Sequence, residues 1–283
     1  MKNGVSYDAV MSMAFHIGMP PAFTPKVEFT DEIPEKRWGK ENAQKFLELL
    51  RDFYTTSDFE KFYNEHARLY SLAEERFLPV YKALNISWYN QYYGIKPEGS
   101  FNVIIALGNG GGNYGGKVVY PDKKEEAYAI MGTWSVDTSN KPFYKVERYL
   151  PTLIHEFNHS YVNQLVEKFS KQLENSGTVI FEPIKNNMSR TAYSNWKTMM
   201  CEALVRASVI RYLLKHDSYN SARNQLIQEY GNGFYWIKDL VNVLHDYETN
   251  REKYPTLENF MPVIVDFYNN VAKENETRYE IKR

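Results

Sequence analysis

The sequence predicts an α+β protein in which a small mixed sheet packs on one functional helix between large helical N- and C-terminal parts. Three observations predict it. Helical periodicity fills the first hundred residues and everything after about residue 190. A β-branched, glycine-punctuated stretch occupies residues 101–131. A long apolar-periodic helix follows at once, and an order of helices, sheet, helix and more helices reads as α+β.

Taken in order, Val5–Ile17 reads as a short helix, and Gly18–Pro34, with Pro20, Pro21, Pro25 and Pro34, as an extended connection. Glu41–Phe53 is amphipathic through Phe46, Leu47, Leu50 and Phe53. Ser57 and Glu60 have the spacing of a capping box opening a helix that runs to Leu84, and Asn85–Tyr93 adds a short one. Phe101–Leu107, Lys117–Tyr120 and Ala127–Met131 read as strands. The glycine-rich stretch Gly108–Gly116 reads as a flexible β-turn, with a functional variant in which it borders the cleft and lets a substrate backbone approach closely. The apolar positions Leu150, Leu153, Ile154, Phe157, Tyr161, Leu165, Val166, Phe169 and Leu173 recur at helical spacing, with Pro151 in the first turn and Gly177 as a stop. Thr178–Phe181 reads as extended. Ser194–His216 is apolar on nearly every side, which predicts a buried helix. Helices over Tyr219–Tyr230, Phe234–Thr249 and Leu257–Lys273 complete the chain, with a frayed tail from Glu274 to Arg283. Residues 1–283 are expected to form one catalytic domain, divided into a mainly helical part (1–100), the sheet and active-site helix (101–175) and a helical C-terminal lobe (176–283).

Composition narrows the function classes. Of 283 residues, 43% are hydrophobic, enough for a large core, and 34 basic side chains nearly balance 35 acidic ones. That balance gives no bulk attraction to nucleic acid or to a membrane surface. No run of eighteen apolar residues predicts a membrane span. The single cysteine, Cys201, excludes an internal disulfide and a cysteine-based zinc site, and its apolar neighbours predict an inert thiol. Gly110, Gly112 and Gly115 match G-x-G-x-x-G in form, and Lys117 nearly completes a P-loop, but a strand follows where nucleotide binding needs a helix. His16 and His66 stand alone and read as structural or exposed.

The chemistry lies in Leu150–Val162, which contains H-E-x-x-H at His155, Glu156 and His159. Residues at i and i+4 share one helix face, so two imidazoles can meet one Zn²⁺ at about 2.0–2.1 Å. Glu156 is turned by about 100° from His155, which puts its carboxylate beside the metal, in the place of a general base. With six histidines in the chain, chance supplies this motif in roughly one such chain in a hundred. The helical setting, with the histidine pair at the rim of an apolar arc and Thr152, Glu156 and Asn163 on the polar flank, favours the metal reading.

These residues resemble the signature of zincin metallopeptidases, over His155–Val162 and more weakly to the helix around Glu202. The surrounding sequence is similar to uncharacterised bacterial zincin-like domains. The metzincin extension would need Gly at 162 and His at 165, where this chain has Val162 and Leu165. The resemblance therefore implies the gluzincin type, with a Glu from a later helix as third ligand, and an outer strand that pairs with an extended substrate. Ala127–Met131 is the expected edge strand. Glu174 is several turns from His159, and Glu182 precedes a proline in an extended stretch. Glu202 lies on the buried helix, where a carboxylate must be paired or bind a metal, and an i,i+4 pair with Arg206 is compatible with ligation. The resemblance also implies an oxyanion donor outside the motif. Tyr193 is the first choice as the nearest to a ligand-bearing element, ahead of Tyr161, Tyr144 and Arg206.

The expected function is a zinc-dependent peptide hydrolase, with His155, His159 and Glu202 as ligands, Glu156 and Tyr193 as catalytic residues, and a peptide or protein as substrate. The alternative is a non-catalytic zincin-like domain that binds metal or a partner. Met1–Asp8 holds no apolar signal segment. Taken literally, that predicts a cytoplasmic protein; a trimmed form of a secreted or cell-envelope protein would look the same, as the resemblance to secreted bacterial peptidases allows, so localisation stays open between the two.

Overall fold

Alternation and apolar runs divide the chain into elements, and a computed structural model describes residues 4–95, 98–190 and 193–279 of it. The chain falls into two units, Met1–Leu84 with Pro97–Phe157 and Asn85–Lys96 with Asn158–Arg283.

The first unit contains helices α1 (Asp8–His16), α2 (Gly39–Thr56), α3 (Phe59–Glu65) and α4 (Ala67–Ala83), and strands β1 (Gly99–Ala106), β2 (Tyr114–Val119) and β3 (Glu125–Gly132). It also holds the first half of α6 (Val146–Lys168). The sheet order is β1-β3-β2. β1 pairs with β3 in parallel from Gly99↔Glu125 to Ala106↔Gly132, and β2 pairs with β3 antiparallel, with Gly116 opposite Tyr128. The sheet is mixed and small, as expected, but Ala127–Met131 is its central strand and not its edge. The physical reason is legible in hindsight: five consecutive apolar residues, all buried, are the pattern of a strand flanked on both sides. Phe101 on β1 meets Phe157 of α6 edge to face, with ring centres 5.0 Å apart. Phe15 of α1 stacks on Tyr128, and Phe77 of α4 packs against Tyr144 and Tyr149.

The second unit contains α5 (Ser87–Tyr93), the second half of α6, α7 (Ser170–Phe181), α8 (Lys185–Arg190), α9 (Trp196–His216), α10 (Tyr219–Gly231), α11 (Ile237–Thr249) and α12 (Leu257–Tyr279). α9 is its buried centre, packed by α7, α10 and α11. Asn195 caps it, its side chain accepting from the Thr198 N–H at 2.9 Å. α5 contributes Trp88, Tyr89, Tyr92 and Tyr93, all buried.

Several boundaries differ from expectation. Ser57 does not form a capping box: its hydroxyl donates back to the Phe53 carbonyl, and the chain turns through Asp58 at φ 51°. The helix expected to run to Leu84 breaks at His66. The helix that carries the histidine motif breaks at Phe169, and the sequence conceals the join because the apolar spacing of α6 continues into α7. Thr178–Phe181 is helical, and Gly177 is no stop. It lies inside α7, where a Cβ would come 2.6 Å from the Trp196 ring. α12 extends to Tyr279 instead of fraying from Glu274, and residues 280–283 of the expected tail lie outside the described residues.

Candidate metal centre

Helix α6 sets the first two members of the centre. Its i,i+4 spacing puts His155 and His159 on one face, and Glu156 follows one residue on with 6% of its surface exposed. β2 fixes the helix at this point. Gly115 lies so close to α6 that a Cβ there would overlap the carbonyl oxygen of Glu156. The glycine stretch expected to be a flexible turn thus ends in strand residues, and Gly115 admits the backbone of the helix that carries Glu156.

The third member comes from α9. Glu202 is buried, and its Oε1 is 3.4 Å from Nε2 of His159. The two helices are joined just before the histidine: Asn158, fully buried, accepts from the Tyr93 hydroxyl at 2.9 Å and donates to the Val205 carbonyl at 3.5 Å. His155, His159 and Glu202 each offer a ligand atom, all within 4.8 Å of one another, and this is the one such group among the described residues. Glu174 and Glu182 are exposed and outside it, Glu182 pairing with Lys185 at 2.7 Å.

The donor types are those zinc takes, and one spacing in the group matches it. Ligands about 2.05 Å from a tetrahedral ion lie about 3.3–3.4 Å apart, which is the His159–Glu202 spacing. Nδ1 of His159 is 3.1 Å from Oδ1 of Asn163. An N–H donated there leaves the Nε2 lone pair for a metal. The carboxylate is divided in the same way. While Oε1 faces His159, Oε2 accepts from the Tyr193 hydroxyl at 2.8 Å and lies 3.2 Å from Nη2 of Arg206. Among the described residues three protein donors converge here.

The remaining predicted residues are placed as follows. Tyr193 gives its one hydroxyl proton to Glu202 and accepts from Arg206 at 2.6 Å, so in this arrangement it holds the Glu202 carboxylate and has no proton left for an oxyanion. Burial, then the charge of Glu202, pushes its pKa above the usual phenol range. Burial works against the Arg206 guanidinium, but the charges of Glu202 and Glu229 outweigh it and hold its pKa above the ordinary value. Tyr161 stacks on Tyr93 with ring centres 4.2 Å apart, and the Tyr144 hydroxyl bonds Thr133 at 2.9 Å. Burial, then Glu202, pushes the Cys201 thiol up to about 12, as an inert thiol requires.

Sequence reasoning missed Asn158 and Glu229. Asn158 could have been found, since it interrupts the apolar face of Ile154, Tyr161 and Leu165, where a polar side chain needs partners. Glu229 lies on α10, whose mostly polar sequence gives no sign that one carboxylate is fully buried.

The family model described as Domain of unknown function (DUF4932) matches residues 11–267. No curated protein and no solved structure matches the chain.

Proposed function

We propose that this chain, which belongs to the DUF4932 family, is a zinc-dependent hydrolase that cleaves peptide bonds. The observation that carries the reading is the convergence of His155 and His159 of α6 with Glu202 of α9 within 4.8 Å, with Glu156 one residue after the first histidine. Zinc held by two imidazoles and a carboxylate lowers the pKa of water toward about 7 and polarises a carbonyl.

The chain's own groups supply the rest. Glu156 takes a proton from the attacking water as its oxygen bonds to the scissile carbon, and returns it to the leaving nitrogen as the C–N bond breaks. His159 is oriented by Asn163, and Glu202 by Tyr193 and Arg206. The outer strands of the sheet are β1 and β2, so pairing with an extended peptide falls to one of them in place of Ala127–Met131.

The test is metal content by mass spectrometry paired with digestion of a mixed peptide library. About one zinc per chain is expected, with cleavage lost on chelation and restored by zinc. Cleavage that survives complete metal removal would overturn the reading. Zinc retained without cleavage of any peptide would favour a non-catalytic metal-binding domain.

A further inference from the structure

Glu229 is a carboxylate with no exposed surface, and the hydrolytic steps do not use it. Its Oε1 accepts from Gln225. Its Oε2 accepts from Asn232 at 2.9 Å and from Nη1 of Arg206 at 2.6 Å. The other end of the same guanidinium reaches the metal centre, with Nη2 2.6 Å from the Tyr193 hydroxyl and 3.2 Å from Oε2 of Glu202. The guanidinium also lies over the ring of Phe234, its carbon 5.4 Å from the ring centre. One buried guanidinium is thus shared by two carboxylates, and only one of these belongs to the metal group.

We infer that Glu229, acting through Arg206, is a positioning residue that keeps one oxygen of Glu202 turned toward His159 and available to the metal. The inference rests on the zinc reading above. A buried arginine with a single carboxylate partner favours a two-pronged pair that engages both oxygens. Glu229 occupies one prong of Arg206 and leaves Glu202 only the other, so Oε2 is held and Oε1 stays 3.4 Å from His159. The negative charge of Glu229 also offsets that of Arg206, which would otherwise oppose a dication nearby. A purely structural tie between α10 and α9 would contribute to stability and leave the metal indifferent to Glu229.

The experiment compares the full chain with Glu229→Gln and Arg206→Lys. Glutamine keeps the shape of the residue and an acceptor but removes the charge, and lysine keeps the charge but cannot span two carboxylates. Zinc affinity is read by competition with a chromophoric chelator, the ligand field by the visible spectrum of the cobalt(II)-substituted protein, and folding by thermal melting. Zinc affinity about 10–100-fold weaker, with a shifted cobalt spectrum in a protein still folded at the assay temperature, is the expected result. If Glu229→Gln does not fold, Arg206→Lys decides by the same readouts. Folded variants that melt earlier yet keep the wild-type zinc affinity and cobalt spectrum would overturn the inference. A wild-type chain that binds no zinc would instead overturn the zinc reading and this inference with it.

Discussion

Helix α6 is held by opposite means in its two halves. Around Glu156 and Phe157 the positioning is steric: a glycine on β2 makes room for the helix backbone, and Phe101 packs edge-on against Phe157. From Asn158 onward it is polar. Asn158 is bonded to Tyr93 and Val205, His159 to Asn163, and Glu202 to Tyr193 and Arg206. The proposed base belongs to the first regime, and two of the three proposed ligands to the second. A steric seat tolerates loss of charge but not an added atom. A polar seat tolerates modest changes of shape but not a change in donors or charge. Substitutions in the two halves should therefore fail differently.

The largest expected effect comes from a charge change on the sterically seated side. Glu156→Gln preserves size, so the fold and zinc content should be unchanged, while kcat/KM for a cleaved peptide falls by about 10²–10⁴-fold with the general base gone. Zinc content measured on the same sample checks it, because loss of the metal with the fold intact would make Glu156 a ligand.

Next is Glu202→Ala, on the polar side. Zinc affinity should fall by more than the roughly 10–100-fold typical of an outer partner, since two histidines leave the geometry of the ion undefined. Stability should fall less than the sequence alone suggests. A stranded buried guanidinium would cost about 3–5 kcal/mol. Arg206 keeps Glu229, however, so the cost should be nearer the roughly 1–3 kcal/mol of an unsatisfied polar partner. Chelator competition and denaturant unfolding on the one variant measure both, and wild-type zinc affinity in the folded protein would remove Glu202 from the site.

Gly115→Ala inverts the pattern. The added methyl meets the Glu156 carbonyl, a backbone atom that cannot rotate away, so strand or helix must shift. Overpacking of this kind costs about 1–3 kcal/mol. Peptide cleavage should fall with stability, whereas zinc affinity should suffer less than in Glu202→Ala. An unchanged melting temperature would show that the sheet does not seat the helix.

What the sequence disclosed follows from how local each signal is. H-E-x-x-H is contiguous, so helical periodicity alone aligns its histidines. Glu202 could be read because a carboxylate among Met200, Cys201, Ala203 and Leu204 violates the pattern of its own helix. Glu229 could not, because its burial depends on Arg206, 23 positions away, and α10 looks solvated. The edge of the sheet was misread because pairing partners are nonlocal, although the uninterrupted apolarity of β3 argued for its centre. Gly115 looked like part of a turn because a glycine run specifies freedom, and only the packed helix shows what one of its members is for.

The smallest effect is expected a few residues before Gly115, and it isolates the steric seat from the glycine run as a whole. Gly111 has no positive φ, and a Cβ there would meet nothing within 4 Å. Gly111→Ala should therefore stay within about 0.5 kcal/mol of wild type, as for an ordinary surface substitution. The same stretch should be indifferent to nucleotides. It leads into β2, with no helix after it whose N-terminus could face a phosphate, and Lys117 already holds the Glu125 carboxylate at 2.8 and 3.0 Å. A nucleotide at a hundred times its dissociation constant would add about 2.7 kcal/mol of stability, which a melting curve resolves easily. No shift is expected with ATP or NAD. A shift that disappears in Lys117→Ala would mean that the stretch binds phosphate, and the contrast between Gly111 and Gly115 would then reflect a ligand site as well as the seat of a helix.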